Sequence, residues 1–324
     1  MNKSLFDEIR YESFTLKNRF FRSAFADRCV GGTISSKTVE FYCSFARGGV
    51  GSIISGYTVV DEAEKESPHA AIYNDTFIDS HRRLTDAVHE YGTAIFLQLN
   101  HVGSRLDTKD ANIVAAAPYL APSAVMNLRG KTMPREITAG EIKNLQEKFA
   151  AAAVRGKKAG YDGVELHSAH GYFLSQFMTP YYNRRTDRYG GSGENRARML
   201  LETIQAVQDA AGKDYPVLVK LNVFDGIKEG IPIEDVLYTA GEVKKLGIFA
   251  LETSGNWHDY PEDGGAFFLK QAETIAAKYD LALILTGGNR NYADMTDILN
   301  RYNIAYFGIC RPLIKNPNLV NDFR

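Results

Sequence analysis

The strongest constraint on the fold is a regular alternation of short apolar runs with helical patterns along the whole chain. Most of the runs are continuously apolar, which is typical of parallel strands that are buried on both faces. No low-complexity linker interrupts the series. The eight runs are residues 20–25, 51–56, 94–100, 163–167, 217–222, 249–254, 281–288 and 306–311. We therefore predict an α/β protein with a TIM (β/α)8 barrel, in which residues 1–324 form one domain.

The segments between the runs carry signals for the ends of helices. Thr138 and Glu141 form a T-x-x-E capping box, which predicts that a helix begins there. A glycine closes each of four helical patterns shortly before a strand, where a left-handed residue is favoured. These glycines are Gly92, Gly160, Gly212 and Gly247.

Two connections are longer than usual, at residues 101–135 and 172–194. Both follow predicted strands, so they lie on the carboxyl-terminal side of the barrel. That face holds the active site in this type of fold. We therefore expect both connections to be loops that cover a ligand.

Composition and charge exclude several classes of protein. The 38 Lys and Arg residues nearly balance the 39 Asp and Glu residues, which argues against nucleic-acid or membrane-surface binding. No apolar run approaches the roughly 20 residues that a membrane helix needs. Cys29, Cys43 and Cys310 occur singly, without the spacing of a metal site or disulfide framework. We expect a cytoplasmic protein without a bound metal.

The end of the fourth run carries the first candidate catalytic group, formed by His167, His170 and Tyr172. The H-x-x-H spacing also suits metal ligands, but no acidic third ligand stands beside it and no H-E-x-x-H motif is present. Either histidine alone could be a core residue that hydrogen-bonds to the backbone. Two histidines with a tyrosine favour hydrogen-bond donation to a substrate oxygen, with the tyrosine as acid.

A second candidate group comes from the ends of other strands. Gly287 and Gly288 either form a simple tight turn or, with Arg311 after the last strand, bind a phosphate. Lys220 lies in an apolar strand, so it either reaches the mouth of the barrel or forms a buried ion pair. Gln98 could contact an imide edge such as that of a flavin or a pyrimidine.

These residues resemble the old yellow enzyme family of FMN-dependent flavin oxidoreductases. The resemblance covers nearly the whole chain. Its most specific part is HSAHGYFLSQFMTPYYNRRTDRYGGSGENR after the fourth strand. Four shorter segments also match, namely LKNRFFRSAFADR, FLQLNHVGSR, TGGNRN and CRPLIKNP.

The resemblance implies a function and a set of roles. FMN would be bound, would be reduced by NADPH or NADH, and would pass hydride by a ping-pong mechanism to an activated C=C bond in a small-molecule substrate. His167 and His170 would polarise the substrate and Tyr172 would protonate it, while Lys220 would face the N1/C2=O side and favour the anionic reduced flavin. The implied cofactor-binding residues are Ser23, Ala24, Ala26, Gly56, Gln98, Lys220, Gly287, Gly288, Asn289, Cys310 and Arg311.

Departures from the family pattern keep two alternatives open. Ala26 stands where many members have a threonine or cysteine, and Lys220 replaces a common arginine. One alternative is a cofactor-free lyase or aldolase that uses Lys220 as a Schiff-base amine. The other is a non-catalytic FMN-binding module. The sequence is equally compatible with NADH or NADPH and with a monomer or a homo-oligomer; Arg105, Arg129, Arg184 and Arg185 are candidates to bind a 2′-phosphate.

Overall fold

A computed structural model describes residues 2–25, 27, 29–105, 119–256 and 265–324. The eight barrel strands are β3 (Phe20–Arg22), β4 (Ser52–Ile54), β6 (Ala94–Asn100), β9 (Gly163–Ser168), β10 (Val217–Phe224), β11 (Ala250–Gly255), β12 (Leu283–Thr286) and β13 (Tyr306–Ile309). These parallel strands pair in the order β4, β3, β13, β12, β11, β10, β9, β6, and β6 pairs again with β4, so the barrel is closed. Each falls on one of the eight predicted runs, so the predicted TIM barrel is confirmed.

Helices surround the barrel and follow the predicted boundaries. The capping box of Thr138 and Glu141 begins α3, and the four predicted glycines have φ between +61° and +97°. The helices are α1 (Ser36–Arg47), α2 (Ile78–His89), α3 (Ala139–Lys158), α4 (Phe173–Met178), α5 (Gly193–Ala211), α6 (Ile233–Lys245), α7 (Leu269–Lys278), α8 (Tyr292–Arg301), α9 (Arg311–Lys315) and α10 (Leu319–Asp322). Short 3-10 helices cover Val30–Gly32, Glu62–Glu64 and Asp75–Phe77. No helix in the described ranges is long and apolar enough to cross a membrane.

Five short strands complete the described part of the chain. They are β1 (Ile9–Arg10), β2 (Thr15–Leu16), β5 (Thr58–Val59), β7 (Leu120–Ala121) and β8 (Arg135–Glu136). The antiparallel pair β1–β2 packs against the amino-terminal end of the barrel, where Phe14 contacts Phe96 edge-to-face with ring centroids 5.5 Å apart. The interior of that end is therefore a closed apolar core.

The barrel interior contains an apolar layer of side chains and, two residues further along the strands, a polar layer. Because side chains on a strand alternate between two faces, residues i and i+2 point the same way. The apolar layer contains Phe21, Phe96, Leu218, Ala250, Ile284 and Tyr306. Two residues further along the same strands are Ser23, Gln98, Lys220, Glu252, Thr286 and Gly308. This polar layer lies on the carboxyl-terminal side, where ligands bind in barrels of this type.

Two local expectations were wrong. Residues 172–194 are not entirely a loop, because they include α4, whose apolar side chains are all buried. Gln98 and Lys220 do not end their strands, since β6 and β10 continue to Asn100 and Phe224. In the other long connection, residues 106–118 lie outside the described ranges.

Candidate active site

The carboxyl-terminal face contains a cavity of about 670 Å³. This volume lies within the range of about 300–1,000 Å³ that is usual for ligand sites. Eight of the predicted cofactor-binding residues line it: Ser23, Ala24, Lys220, Gly287, Gly288, Asn289, Cys310 and Arg311. The structure therefore brings together residues in or just after four different barrel strands, β3, β10, β12 and β13.

The Gly287–Gly288 turn is built so that only glycine fits. Both residues have positive φ, +101° and +85°. A Cβ on Gly288 would collide with the backbone carbonyl oxygen of Gly265. The Asn289 side-chain amide donates to the carbonyls of Leu285 (2.6 Å) and Gly308 (3.0 Å), which holds the turn between β12 and β13.

Three predicted cofactor-binding residues are not part of this lining. Gln98 lies below the cavity, where its Nε2 donates to Oε2 of Glu165 (2.6 Å). Gly56 lies at a separate small cavity, and its N–H donates to the Tyr42 hydroxyl (2.6 Å). The Gly56 amide is thus already bonded within the protein. Ala26 lies outside the described residues.

His167, His170 and Tyr172 form one cluster, in which His170 lines the cavity and the buried His167 and Tyr172 are not part of the lining. The His167 ring lies 5.0 Å, centroid to centroid, from both the His170 ring and the Tyr172 ring. The guanidinium of Arg105 lies 4.3 Å from the centroid of the Tyr172 ring, in a cation–π arrangement. His170 lines the cavity, and its Nε2 is 2.8 Å from the hydroxyl of Ser254.

His170 adopts an unusual backbone conformation, with φ of +62°. A non-glycine residue in this region carries a strain of order 1–3 kcal/mol, which persists only where the surroundings enforce it. Here the Asn222 side-chain oxygen accepts from the His170 N–H (2.9 Å), and the Arg105 guanidinium donates to the His170 carbonyl. Asn222 and Arg105 thus orient the imidazole toward the cavity.

The electrostatics of the cluster favour neutral imidazoles. Burial holds the pKa of His167 well below its usual value, and the positive charges of Lys220 and Arg105 lower it further. Burial, Lys220, Arg105 and Arg129 lower the pKa of His170 in the same way. A neutral imidazole carries one N–H donor, so each ring can donate one hydrogen bond at neutral pH.

A second cavity, of about 550 Å³, adjoins the first and shares His170 with it. Arg105, Arg129, Tyr182 and Asn256 also line it. The two remaining arginine candidates lie elsewhere. Arg184 pairs with Glu229 (2.5 Å) at the surface, and Arg185 is buried, where it binds Asp187 (2.5 Å) and the Ile137 carbonyl (2.7 Å).

The sequence interpretation missed two buried acids next to Lys220. The Lys220 ammonium lies 2.8 Å from Oε1 of Glu252, and both side chains are buried. Glu165 lies beside them and accepts from Gln98. The signal was present, because Glu165 and Glu252 each interrupt an apolar strand in the same way as Lys220. Within the described part of the chain, no group of three or more His, Cys, Asp or Glu side chains could hold a metal ion.

Together, the closed barrel and the lined cavity define a cofactor-sized site at the carboxyl-terminal face of a TIM barrel. Residues 4–324 match the model of the NADH:flavin oxidoreductase / NADH oxidase family. The chain belongs to this family. The predicted membership of the old yellow enzyme group is confirmed, as is the prediction that the chain is of the flavin oxidoreductase class.

Named relatives agree with this assignment. The NADH oxidase of Thermoanaerobacter brockii is 32% identical over 97% of this chain and 50% of its own length. The cinnamate reductase of Clostridium sporogenes is 36% identical over 98% of this chain and 52% of its own. This chain thus spans about half the length of these relatives. It spans 93% of the NADPH dehydrogenase of Bacillus subtilis, which is 30% identical over 98% of this chain.

Solved structures show the same architecture. Morphinone reductase in complex with tetrahydroNAD superposes with a TM-score of 0.84 at 28% identity, covering 100% of this chain and 91% of that one. The old yellow enzyme homologue of Zymomonas mobilis gives a TM-score of 0.85 at 26% identity, covering 99% and 92%.

Proposed function

We propose that this chain is an FMN-dependent NAD(P)H oxidoreductase that reduces activated C=C bonds, such as those of α,β-unsaturated carbonyl compounds. One observation carries the proposal. Nδ1 of His167 is buried and has no hydrogen-bond partner in the described part of the chain, and the His167 ring packs against Tyr172 and against His170, which lines the cavity. Leaving a buried polar atom unpaired costs about 1–3 kcal/mol, and a ligand oxygen that accepts from this nitrogen removes that cost.

The residues of the larger cavity fit FMN. Gly288 permits close backbone approach and Arg311 supplies a guanidinium, which together suit the phosphate. The buried Lys220 ammonium suits the electron-rich N1/C2=O side of the ring. We assign Gln98 to the pyrimidine edge, because Glu165 uses only one of the two donors of its amide. When bound, FMN would supply the hydride, which it would receive from NADPH or NADH.

The chain's own residues then polarise and protonate the substrate. His167 and His170 are neutral donors, and we assign them to the carbonyl or nitro oxygen of the substrate. Such donors withdraw electron density from the conjugated double bond, so its β-carbon becomes electrophilic. Tyr172 is assigned as the acid that protonates the α-carbon. The Arg105 guanidinium packs on the Tyr172 ring and donates a hydrogen bond to the His170 carbonyl, which positions both residues.

We propose a ping-pong order in which the nicotinamide and then the substrate bind in turn beside His170, which lines both cavities. The partners we propose are small molecules, whether the chain acts as a monomer or as a homo-oligomer. Its three free cysteines suit a reducing compartment, which supports a cytoplasmic location.

The lysine-based alternative is disfavoured by the ion pair. A Schiff-base lysine must be neutral to attack a carbonyl, and burial alone would lower the pKa of Lys220. The charge and hydrogen bond of Glu252 outweigh that effect, so the pKa of Lys220 is raised and the amine is protonated.

The test of this function is the substitution Tyr172→Phe. We expect alkene reduction to fall about 10²–10⁴-fold, the usual contribution of a general acid, while reduction of the flavin by the nicotinamide persists. Stopped-flow absorbance measures the two half-reactions separately. Tyr189→Phe is the matched control, because it removes a buried hydroxyl that bonds Glu202 (2.8 Å) outside both cavities. Equal losses in the two variants would contradict the assigned role.

A further inference from the structure

Directly below the larger cavity lies a carboxyl pair formed by Glu165 and Glu252, both fully buried. They come from neighbouring parts of the polar layer, Glu165 on β9 and Glu252 on β11, with Lys220 on the intervening β10. Each carboxyl group affects the pKa of the other through a side-chain contact, so the two groups are neighbours in the polar layer.

The hydrogen bonds of Glu252 are concentrated on one oxygen. Its Oε1 accepts from Lys220 (2.8 Å), from Ser23 (2.8 Å) and from Thr286 (2.7 Å). Its Oε2 is buried and has no donor among the described residues. Three donors, one of them charged, stabilise the ionised form of this carboxyl group. Burial opposes ionisation, but Lys220 and the hydrogen bonds outweigh it, and the pKa of Glu252 is lowered.

Glu165 has the complementary pattern. Its Oε2 accepts from Gln98 (2.6 Å), whereas its buried Oε1 has no donor within the described ranges. Two carboxylate oxygens repel each other, and only a proton between them makes the contact favourable. Burial, with the nearby charge of Glu252, raises the pKa of Glu165 well above its usual value.

We propose that Glu165 and Glu252 share a single proton, which Glu165 carries, and that Glu252 is the ionised counter-ion that weakens the positive charge of Lys220 beneath the flavin. The other groups that face the pair are Gln98 from β6, Ser23 from β3, Thr286 from β12 and the Cys310 thiol, whose pKa burial raises. Lys220 is therefore the one charged side chain among the described residues that faces the pair. Both acids are positioning residues, which act on the cofactor through Lys220.

Because Glu165 carries the proton and Glu252 carries the charge, amide variants of the two acids should have different effects. In Glu165→Gln, the new amide can still accept from Gln98 and donate to Glu252, so it mimics a protonated acid. We expect the midpoint potential of bound FMN to be unchanged. The double variant Glu165→Gln/Glu252→Gln leaves Lys220 uncompensated. We expect it to favour reduced flavin at least tenfold, which is about 30 mV for a two-electron couple.

The measurement of the midpoint potential rests on the proposed function, since it requires bound FMN. A second measurement does not require FMN. Carboxyl ¹³C NMR of the flavin-free wild-type protein should show two glutamates that stay protonated far above the usual pKa of about 4.3. One is Glu64, whose pKa burial raises to about 8, and the other is Glu165, so Glu165→Gln should abolish one of the two signals and leave the other. The proposal is overturned if Glu165→Gln abolishes neither signal, or if Glu165→Gln alone shifts the potential as far as the double variant does. Failure to bind FMN would refute only the proposed function, because the NMR result would stand.

Discussion

The turn at Gly288 gives a sharp prediction, because the chain contains a matched control for it. Gly288 has φ of +85°, and a Cβ there would collide with the Gly265 carbonyl and lie 3.1 Å from the Phe267 ring. Gly92 has φ of +61°, but a Cβ there would meet nothing within 4 Å. Gly92→Ala therefore incurs only the left-handed backbone cost, which is roughly 1–2 kcal/mol.

Gly288→Ala incurs the same backbone cost, and the turn must also move away from Gly265. Such a shift displaces the backbone amides assigned to the FMN phosphate. Loss of one hydrogen bond to a charged group is worth about 1.5–3 kcal/mol, so we expect FMN affinity to fall roughly 10- to 100-fold.

Two assays separate these effects. Urea unfolding of the flavin-free protein reports the backbone cost, and fluorescence titration with FMN reports the affinity. We expect both variants to be destabilised and only Gly288→Ala to bind FMN more weakly. If Gly288→Ala bound FMN as tightly as wild type, or if Gly92→Ala weakened binding equally, the assignment of this turn to the phosphate would be refuted.

Two further predictions concern stability. Burial lowers the pKa of His81 to about 4, so the folded protein resists protonation of a residue that titrates near 6.5 when unfolded. The unfolded state therefore binds more protons between these values, and stability should fall as the pH drops from about 6.5 to 4, by up to about 1.4 kcal/mol per pH unit; urea unfolding of His81→Gln should lack this component, and an unchanged slope would contradict it. Thr138→Ala removes the capping box of α3 and should lower the free energy of unfolding by about 1 kcal/mol, whereas Thr138→Ser should retain most of it, as chemical denaturation would show.

The fold could be predicted in detail because local and global signals agree in this chain. Continuous apolar runs identified all eight barrel strands, and the capping box and glycines placed helix ends. The helix Phe173–Met178 was missed because its short apolar segment lies in a region rich in turn-forming and charged residues. Gln98 and Lys220 were expected at the ends of their strands, but both strands extend beyond them, so the two side chains lie in the polar layer within the barrel.

Two local sequence signals pointed to residues that lie together in the structure, namely a histidine pair with a tyrosine and a glycine pair after a strand. The glycine pair and His170 line one cavity, and His167 packs against His170 and Tyr172. Pairings between distant strands were not predictable. The contact of Lys220 with Glu252 depends on strand register across the barrel, as does the contact of Glu165 with Gln98. Gly56 shows the converse, because its position at a strand end did not reveal that Tyr42 accepts its N–H.

The most direct test of the account is the visible absorption spectrum of the protein reconstituted with FMN, recorded anaerobically before and after addition of NADPH or NADH, and again after cyclohexenone. We expect a flavin spectrum that bleaches with one or both nicotinamides and returns with the enone. A protein that cannot be reconstituted with FMN would contradict the assignment of the cavity. A flavin that binds but is never reduced would contradict the proposed oxidoreductase function and favour a binding module.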